Sequence, residues 1–111
     1  MDEIFKHRLE KIFKEYCEDR IPTHLRSQIK ISFTIRGDSI TIIEERPFYR
    51  NPSEWTKRQI AQFRYDPKSE LWTLYWQRSN NRWYQYEIKP TKEIKSLLAE
   101  VDKDPMGAFW G

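Results

Sequence analysis

Between Leu71 and Tyr86 the chain reads LWTLYWQRSNNRWYQY, and its large apolar residues alternate on either side of one polar interruption. Trp72, Leu74 and Trp76 are in phase, as are Tyr84, Tyr86 and Ile88, and successive side chains of a strand point to opposite faces. Two strands joined as a hairpin bring these residues onto one face only if the loop between them holds an odd number of residues. Ser79-Asn80-Asn81 supplies three, and a three-residue loop needs a left-handed third residue, a conformation that asparagine tolerates better than most. This arithmetic opposes Trp76 to Tyr84 and Leu74 to Tyr86, and it turns Tyr75 and Trp83 the other way.

The elements around this hairpin follow from the period of the apolar residues. Phe5, Leu9, Ile12, Phe13 and Tyr16 recur every three to four positions, which predicts an amphipathic helix over 2–20, capped by Asp2 and stopped by Pro22. From Lys30 the period becomes two, and Gly37-Asp38 reads as a two-residue turn pairing Ile35 with Ile40 and Phe33 with Ile42. The segment RPFYRNPSEW carries two prolines and is expected to be a connection or an edge. A third strand over Arg58–Tyr65, a turn at DPKSE and a fourth strand from Trp72 place Tyr65 opposite Trp72, Phe63 opposite Leu74 and Ala61 opposite Trp76. Ile94, Leu97, Leu98 and Val101 predict a last helix over 91–103, with Thr91 as its capping candidate. The aromatic tail over 104–111 is expected to fold back, because a loose Phe109-Trp110 pair would expose apolar surface.

Together these give a single domain over 1–111 of the α+β class: a two-layer sandwich in which a five-stranded antiparallel meander over 30–89 carries an N-terminal and a C-terminal helix on one face. Most of the aromatic residues then belong to the core. The opposite face keeps Thr34, Arg36, Thr41, Ile43, Gln62, Arg64, Thr73, Tyr75, Gln77, Trp83, Gln85 and Glu87.

With 111 residues the chain has the length of one domain, and 33% charged beside 15% aromatic residues implies a packed globule. A net charge of +3 is a mild bias that permits polyanion contact without requiring it. One cysteine excludes an internal disulfide, and two histidines remote from it match no structural zinc spacing, so no metal is expected and the cytoplasm is the expected compartment. Three glycines, at 37, 107 and 111, leave no phosphate-cradling loop, and no cofactor is expected. The charged start contains no apolar run of membrane or leader length, so no membrane partner is expected.

The stretches RIPTHLRSQIK, ERPFYRNP, WTLYWQR with Trp83 and Tyr86 downstream, and the ending DKDPMGAFWG resemble those of a family of small bacterial proteins, domain of unknown function 3024. The resemblance covers nearly the whole chain and implies a bacterial source, a compact α+β domain and no assigned activity. The chain departs from it at Ala108, where a cysteine stands in the tail of relatives, so thiol chemistry there is in doubt.

For function, the residues singled out are Arg36, Arg64, Tyr75, Gln77, Arg82 and Trp83, rings and hydrogen-bond donors on a face that no helix covers. The reading favoured is a non-enzymatic interaction module that contacts a protein partner, or a second copy as a homodimer, through this face, since exposed Trp, Tyr and Arg are common interface anchors. The alternative is single-stranded nucleic acid stacked on Tyr75 and Trp83 with Arg64 on phosphate. His24, Arg26, Arg46 and Arg50 form a second candidate group for a phosphate or carboxylate, weighed against pairing with Glu44, Asp102 or Asp104. Asp66 with Glu87-Ile88-Lys89 imitates loosely the carboxylate spacing of metal-dependent nucleases, a distant third reading. No catalytic residue is assigned.

Overall fold

Asp2 opens the first helix. Its Oδ1 accepts the Phe5 N–H at 2.7 Å, satisfying one of the donors that a helix start leaves without a partner, and α1 runs from Glu3 to Arg20 before Ile21 turns extended ahead of Pro22. The computed structural model describes residues 1–111. After a 3-10 turn at Thr23–Leu25 come β1 (Lys30–Arg36), β2 (Ser39–Phe48), β3 (Asn51–Asp66), β4 (Leu71–Gln77) and β5 (Trp83–Gln85), and α2 (Ile94–Lys103) closes the series. The protein is α+β, with a five-stranded open antiparallel sheet in the order β1-β2-β3-β4-β5.

The predicted register of the aromatic strands is the observed one. Ala61 opposes Trp76, Phe63 opposes Leu74 and Tyr65 opposes Trp72, and Trp76 opposes Tyr84 across the next ladder. Asn81 takes the left-handed conformation, φ 63°, and Arg78 N–H donates to the Arg82 carbonyl at 3.1 Å, which closes the loop around Ser79–Asn81.

Three expectations need correction. The proline-containing segment is not a connection, since Pro47 lies in β2 and Pro52 in β3 with only Tyr49-Arg50 between, whereas the edge alternative holds at Pro52. The ladder of β3 with β4 begins at Ala61, so Pro52 sits where β3 has no β4 neighbour and its missing N–H removes no bond on that side. The fifth strand ends at Gln85, not near Lys89, because the chain swings out over Glu87–Pro90 and returns at Thr91, whose backbone exchanges both bonds with Trp72. That bridge also delays α2 to Ile94: Thr91 is held in the sheet, and its Oγ1 accepts only the Glu93 N–H at 3.1 Å.

A further departure lies inside β3. Lys57 meets Glu45 at 3.4 Å and Arg58 meets Glu44 at 3.9 Å, whereas Gln62 meets Thr41 at 3.0 Å. Same-face pairs across one antiparallel ladder keep a constant parity of summed residue numbers, and here the parity changes from even to odd. From Arg58 to Gln62 β3 advances four residues while β2 advances three from Glu44 to Thr41, so one extra residue is accommodated in β3, a β-bulge.

The chain forms two compact units. The first comprises Met1–Thr34 and Ile42–Gln59, and buries Leu9, Phe13, Cys17 and Ile42, with the rings of Phe13 and Phe33 5.7 Å apart. The second comprises Ile35–Thr41 and Ile60–Gly111, and buries Ile40, Ala61, Phe63, Trp72 and Leu74 beside Leu97, Leu98 and Val101 of α2. In this second unit the tail is docked. Asp104, left-handed at φ 42°, ends α2 and accepts the N–H groups of Phe109 and Trp110 at 3.0 and 2.8 Å. Phe109 is buried against Tyr86, and the Trp110 indole donates to the Val101 carbonyl at 3.1 Å. No helix is long and apolar enough to cross a membrane.

Candidate functional site

In the second unit the side chains facing away from Trp72 and Leu74 form a connected row across three strands. Gln62 of β3 donates through Nε2 to Thr41 Oγ1 at 3.0 Å and accepts through Oε1 from Arg64 Nε at 2.7 Å. The Arg64 guanidinium in turn lies 3.8 Å from the centroid of the Tyr75 ring. Strand geometry explains the set: Tyr75 opposes Gln62 and Thr73 opposes Arg64, so the long arginine reaches diagonally onto the ring of the adjacent strand. Trp83, opposite Gln77, stands diagonally from Tyr75, which opposes Gln85. Tyr75, Gln77 and Trp83 are half-buried, while Thr41 is buried. The side chains of this face are therefore tied to one another across the strands.

The structure brings together four of the six residues first singled out: Arg64, Tyr75, Gln77 and Trp83. Arg36 is exposed at the end of β1, three strands from β4 in the sheet order, or about 14 Å at the usual strand spacing. Arg82 precedes β5 in phase with Tyr84 rather than with Trp83, and its backbone N–H is held by Asn80 Oδ1 at 3.0 Å. Gln77 is partly engaged, its Nε2 donating to the Asn81 carbonyl at 3.1 Å.

The second candidate group belongs to the first unit, and its arginines serve three separate tasks. Arg26 Nη2 donates to the Glu18 carbonyl at 3.2 Å, near the end of α1, where a cation complements the helix dipole. Arg46 pairs with the buried carboxylate of Glu44 at 3.0 Å, the pairing the sequence offered as the structural alternative. Arg50 donates from Nε to the Tyr49 hydroxyl at 2.8 Å. His24 is exposed in the 3-10 turn. Arg26 lines a cleft of about 360 Å³ with Cys17, Ile21, Ile29 and Glu45. Burial, reinforced by the Glu18 charge, pushes the Cys17 thiol up to about 12, so it is not a nucleophile at neutral pH.

The carboxylates of the nuclease reading have other work. Asp66 holds its own turn, accepting the Lys68 N–H and the Ser69 hydroxyl, each at 3.0 Å. Glu87 is exposed on the excursion after β5, which borders a shallow, wide-open depression of about 540 Å³.

Sequence reasoning missed one cluster. The Arg78 guanidinium lies 4.4 Å from the Tyr84 ring and 4.9 Å from the Trp76 ring, and Asn80 Nδ2 donates to the Tyr84 hydroxyl at 2.8 Å. Trp76 and Tyr84 are half-buried, not central to the core. The signal was present, since Arg78 is in phase with Trp76, two residues earlier.

The sequence model of the family described as Domain of unknown function (DUF3024) matches residues 1–111. The chain belongs to that family. No curated protein and no solved structure matches this DUF3024 chain. The face built on Arg64, Tyr75, Gln77 and Trp83 is thus the candidate site of a DUF3024 domain, argued from its own geometry.

Proposed function

We propose that this DUF3024 domain is a non-enzymatic interaction module that takes an acidic protein segment on the face carrying Arg64, Tyr75, Gln77 and Trp83. The observation that carries the reading is the stacked Arg64–Tyr75 pair. Gln62 engages the guanidinium at Nε and the ring restrains its plane, so the two terminal nitrogens are the donors suited to a carboxylate fork. A long side chain ordered in advance loses less freedom on binding. Half-exposed Tyr75 and Trp83 beside it supply the aromatic anchors on which interfaces concentrate their energy. Two-fold self-association through this face is disfavoured, because it would bring Arg64 toward its own copy, cation against cation.

The second reading, single-stranded nucleic acid, draws on the diagonal Tyr75–Trp83 pair, but one face of Tyr75 is already covered by Arg64 and the net charge is only +3.

Panning a displayed peptide library on the intact protein discriminates between them. Acidic peptides whose binding is lost in both Arg64→Ala and Trp83→Ala are the expected result. Binders indifferent to both substitutions would overturn the reading. Salt-sensitive binding of a labelled oligothymidylate that quenches Trp83 would replace it with the nucleic-acid one.

A further inference from the structure

Along the face of β4 and β5 that carries Leu74, burial falls away toward the loop. Leu74 and Tyr86 are buried, Trp76 and Tyr84 half-buried, and Arg78 and Arg82 exposed. The ladder opposes the last two directly. Trp76 pairs with Tyr84, the Tyr86 N–H donates to the Leu74 carbonyl at 2.9 Å, and the Arg78 N–H donates to the Arg82 carbonyl at 3.1 Å, all in one register. Arg78 and Arg82 are therefore a cross-strand pair on one face, with Cβ atoms about 5 Å apart, and like charges so placed repel.

No group of the chain answers these two charges. Arg26, Arg46, Arg50 and Arg64 each donate to an oxygen of a neighbouring residue, whereas neither Arg78 nor Arg82 makes a side-chain hydrogen bond or ion pair within the chain. Their surroundings are nonetheless ordered. The Arg78 guanidinium lies 4.4 Å from the Tyr84 ring and 4.9 Å from the Trp76 ring, and ring faces restrain a guanidinium without offering it an acceptor oxygen. Asn80 fixes the rest, donating from Nδ2 to the Tyr84 hydroxyl at 2.8 Å and accepting the Arg82 N–H through Oδ1 at 3.0 Å.

We propose that Arg78 and Arg82 together hold a phosphate monoester carried on a partner protein chain. A phosphorylated side chain bears about two negative charges near pH 7 and presents strong acceptor oxygens, which matches two adjacent cations with forked donors. Seated between them, the dianion turns a repulsive pair into two attractive ones. A nucleic-acid backbone is a poorer match, because it carries one charge per phosphate and is held by a row of cations, and the loop offers two in a chain of net charge +3. Arg78, Ser79, Asn80, Asn81 and Arg82 are all exposed, whereas small free molecules are held in clefts that bury most of their surface. The phosphate therefore arrives on a larger chain, whose flanking residues meet the half-buried rings of Trp76 and Tyr84. The site lies on the opposite face of β4 from Tyr75 and does not depend on the reading of that face.

The test pans the intact protein over a bead-bound peptide library with a fixed central phosphoserine or phosphotyrosine and random flanks, beside the same library treated with phosphatase. Enrichment from the phosphorylated library alone is expected, surviving Arg64→Ala and lost in Arg78→Ala. Arg82→Glu should abolish the binding while raising the melting temperature by about 1–5 °C, since opposite charges then face each other across the ladder. That rise separates loss of the site from loss of the fold. For a recovered phosphopeptide, Arg78→Lys should weaken binding roughly tenfold, because an ammonium keeps the charge but not the fork. Enrichment from neither library, or equally from both, overturns the proposal. So does binding that persists in Arg82→Glu, binding that Arg64→Ala removes, or a preference for a labelled oligothymidylate over every phosphopeptide.

Discussion

The guanidinium of Arg64 sits 3.8 Å from the centre of the Tyr75 ring on the neighbouring strand, tethered from behind by Gln62. A cation–π contact of this exposure is worth about 0.5–1 kcal/mol. A double-mutant cycle with Arg64→Ala and Tyr75→Leu, followed by urea unfolding, should return a coupling of that size. Arg64→Lys should recover part of it, since an ammonium meets the ring but cannot lie flat on it. Zero coupling would remove the preordered pair on which the proposed partner face rests.

The β4–β5 loop depends on the left-handed Asn81 at φ 63°. Asn81→Gly should leave stability unchanged or raise it by up to about 1 kcal/mol, and Asn81→Val should lower it by about 1–2 kcal/mol, because a β-branched residue resists positive φ. Thermal unfolding of the two variants reads the difference directly, and equal melting temperatures would contradict the turn geometry.

Asp104 ends α2 and anchors the tail by accepting two backbone N–H groups. Asp104→Ala should therefore free the Phe109 and Trp110 amides to exchange with solvent well before the β4 amides do. Phe109→Ala, at a site 2% exposed, should cost about 3–5 kcal/mol, the usual range for emptying a buried phenylalanine position. If both amides exchange at unchanged rates in Asp104→Ala, the clasp is not what holds the tail.

Cys17 makes stability depend on pH at the alkaline end. Burial lifts the thiol from its ordinary 9.0 to about 12 in the folded chain, so the folded state resists losing this proton while the unfolded state gives it up readily. The contribution is full below about pH 9 and is lost as pH rises toward about 12. Unfolding free energy measured across that window should fall less steeply in Cys17→Ala than in the parent. At pH 8 a thiol reagent should modify Cys17 slowly in the native chain and rapidly once it is unfolded.

Much of this fold was legible because strand alternation and helix periodicity are local patterns. The odd loop at Ser79–Asn81 placed Trp76 opposite Tyr84, and the i, i+3, i+4, i+7 spacing from Ile94 to Val101 located α2. The candidate site was legible as composition but not as geometry. Arg64, Tyr75, Gln77 and Trp83 share a region, whereas Arg82 drops out because it precedes β5 in the opposite phase, and Arg36 because it lies on a distant strand.

By itself, the order of residues determined that the chain has a helix near each end and which side chains of β4, β5 and the Ala61–Tyr65 part of β3 share a face, because each depends only on spacing along the chain. Only the tertiary structure decided that Pro47 and Pro52 lie within strands, that β3 shifts phase between Arg58 and Gln62, and that Arg46 pairs with Glu44 while Arg64 stacks on Tyr75. Whether a missing N–H matters depends on whether a neighbouring strand was there to receive it, and a bulge is recorded only in which residues meet across the ladder. Both are properties of pairs of segments, and no single segment carries them.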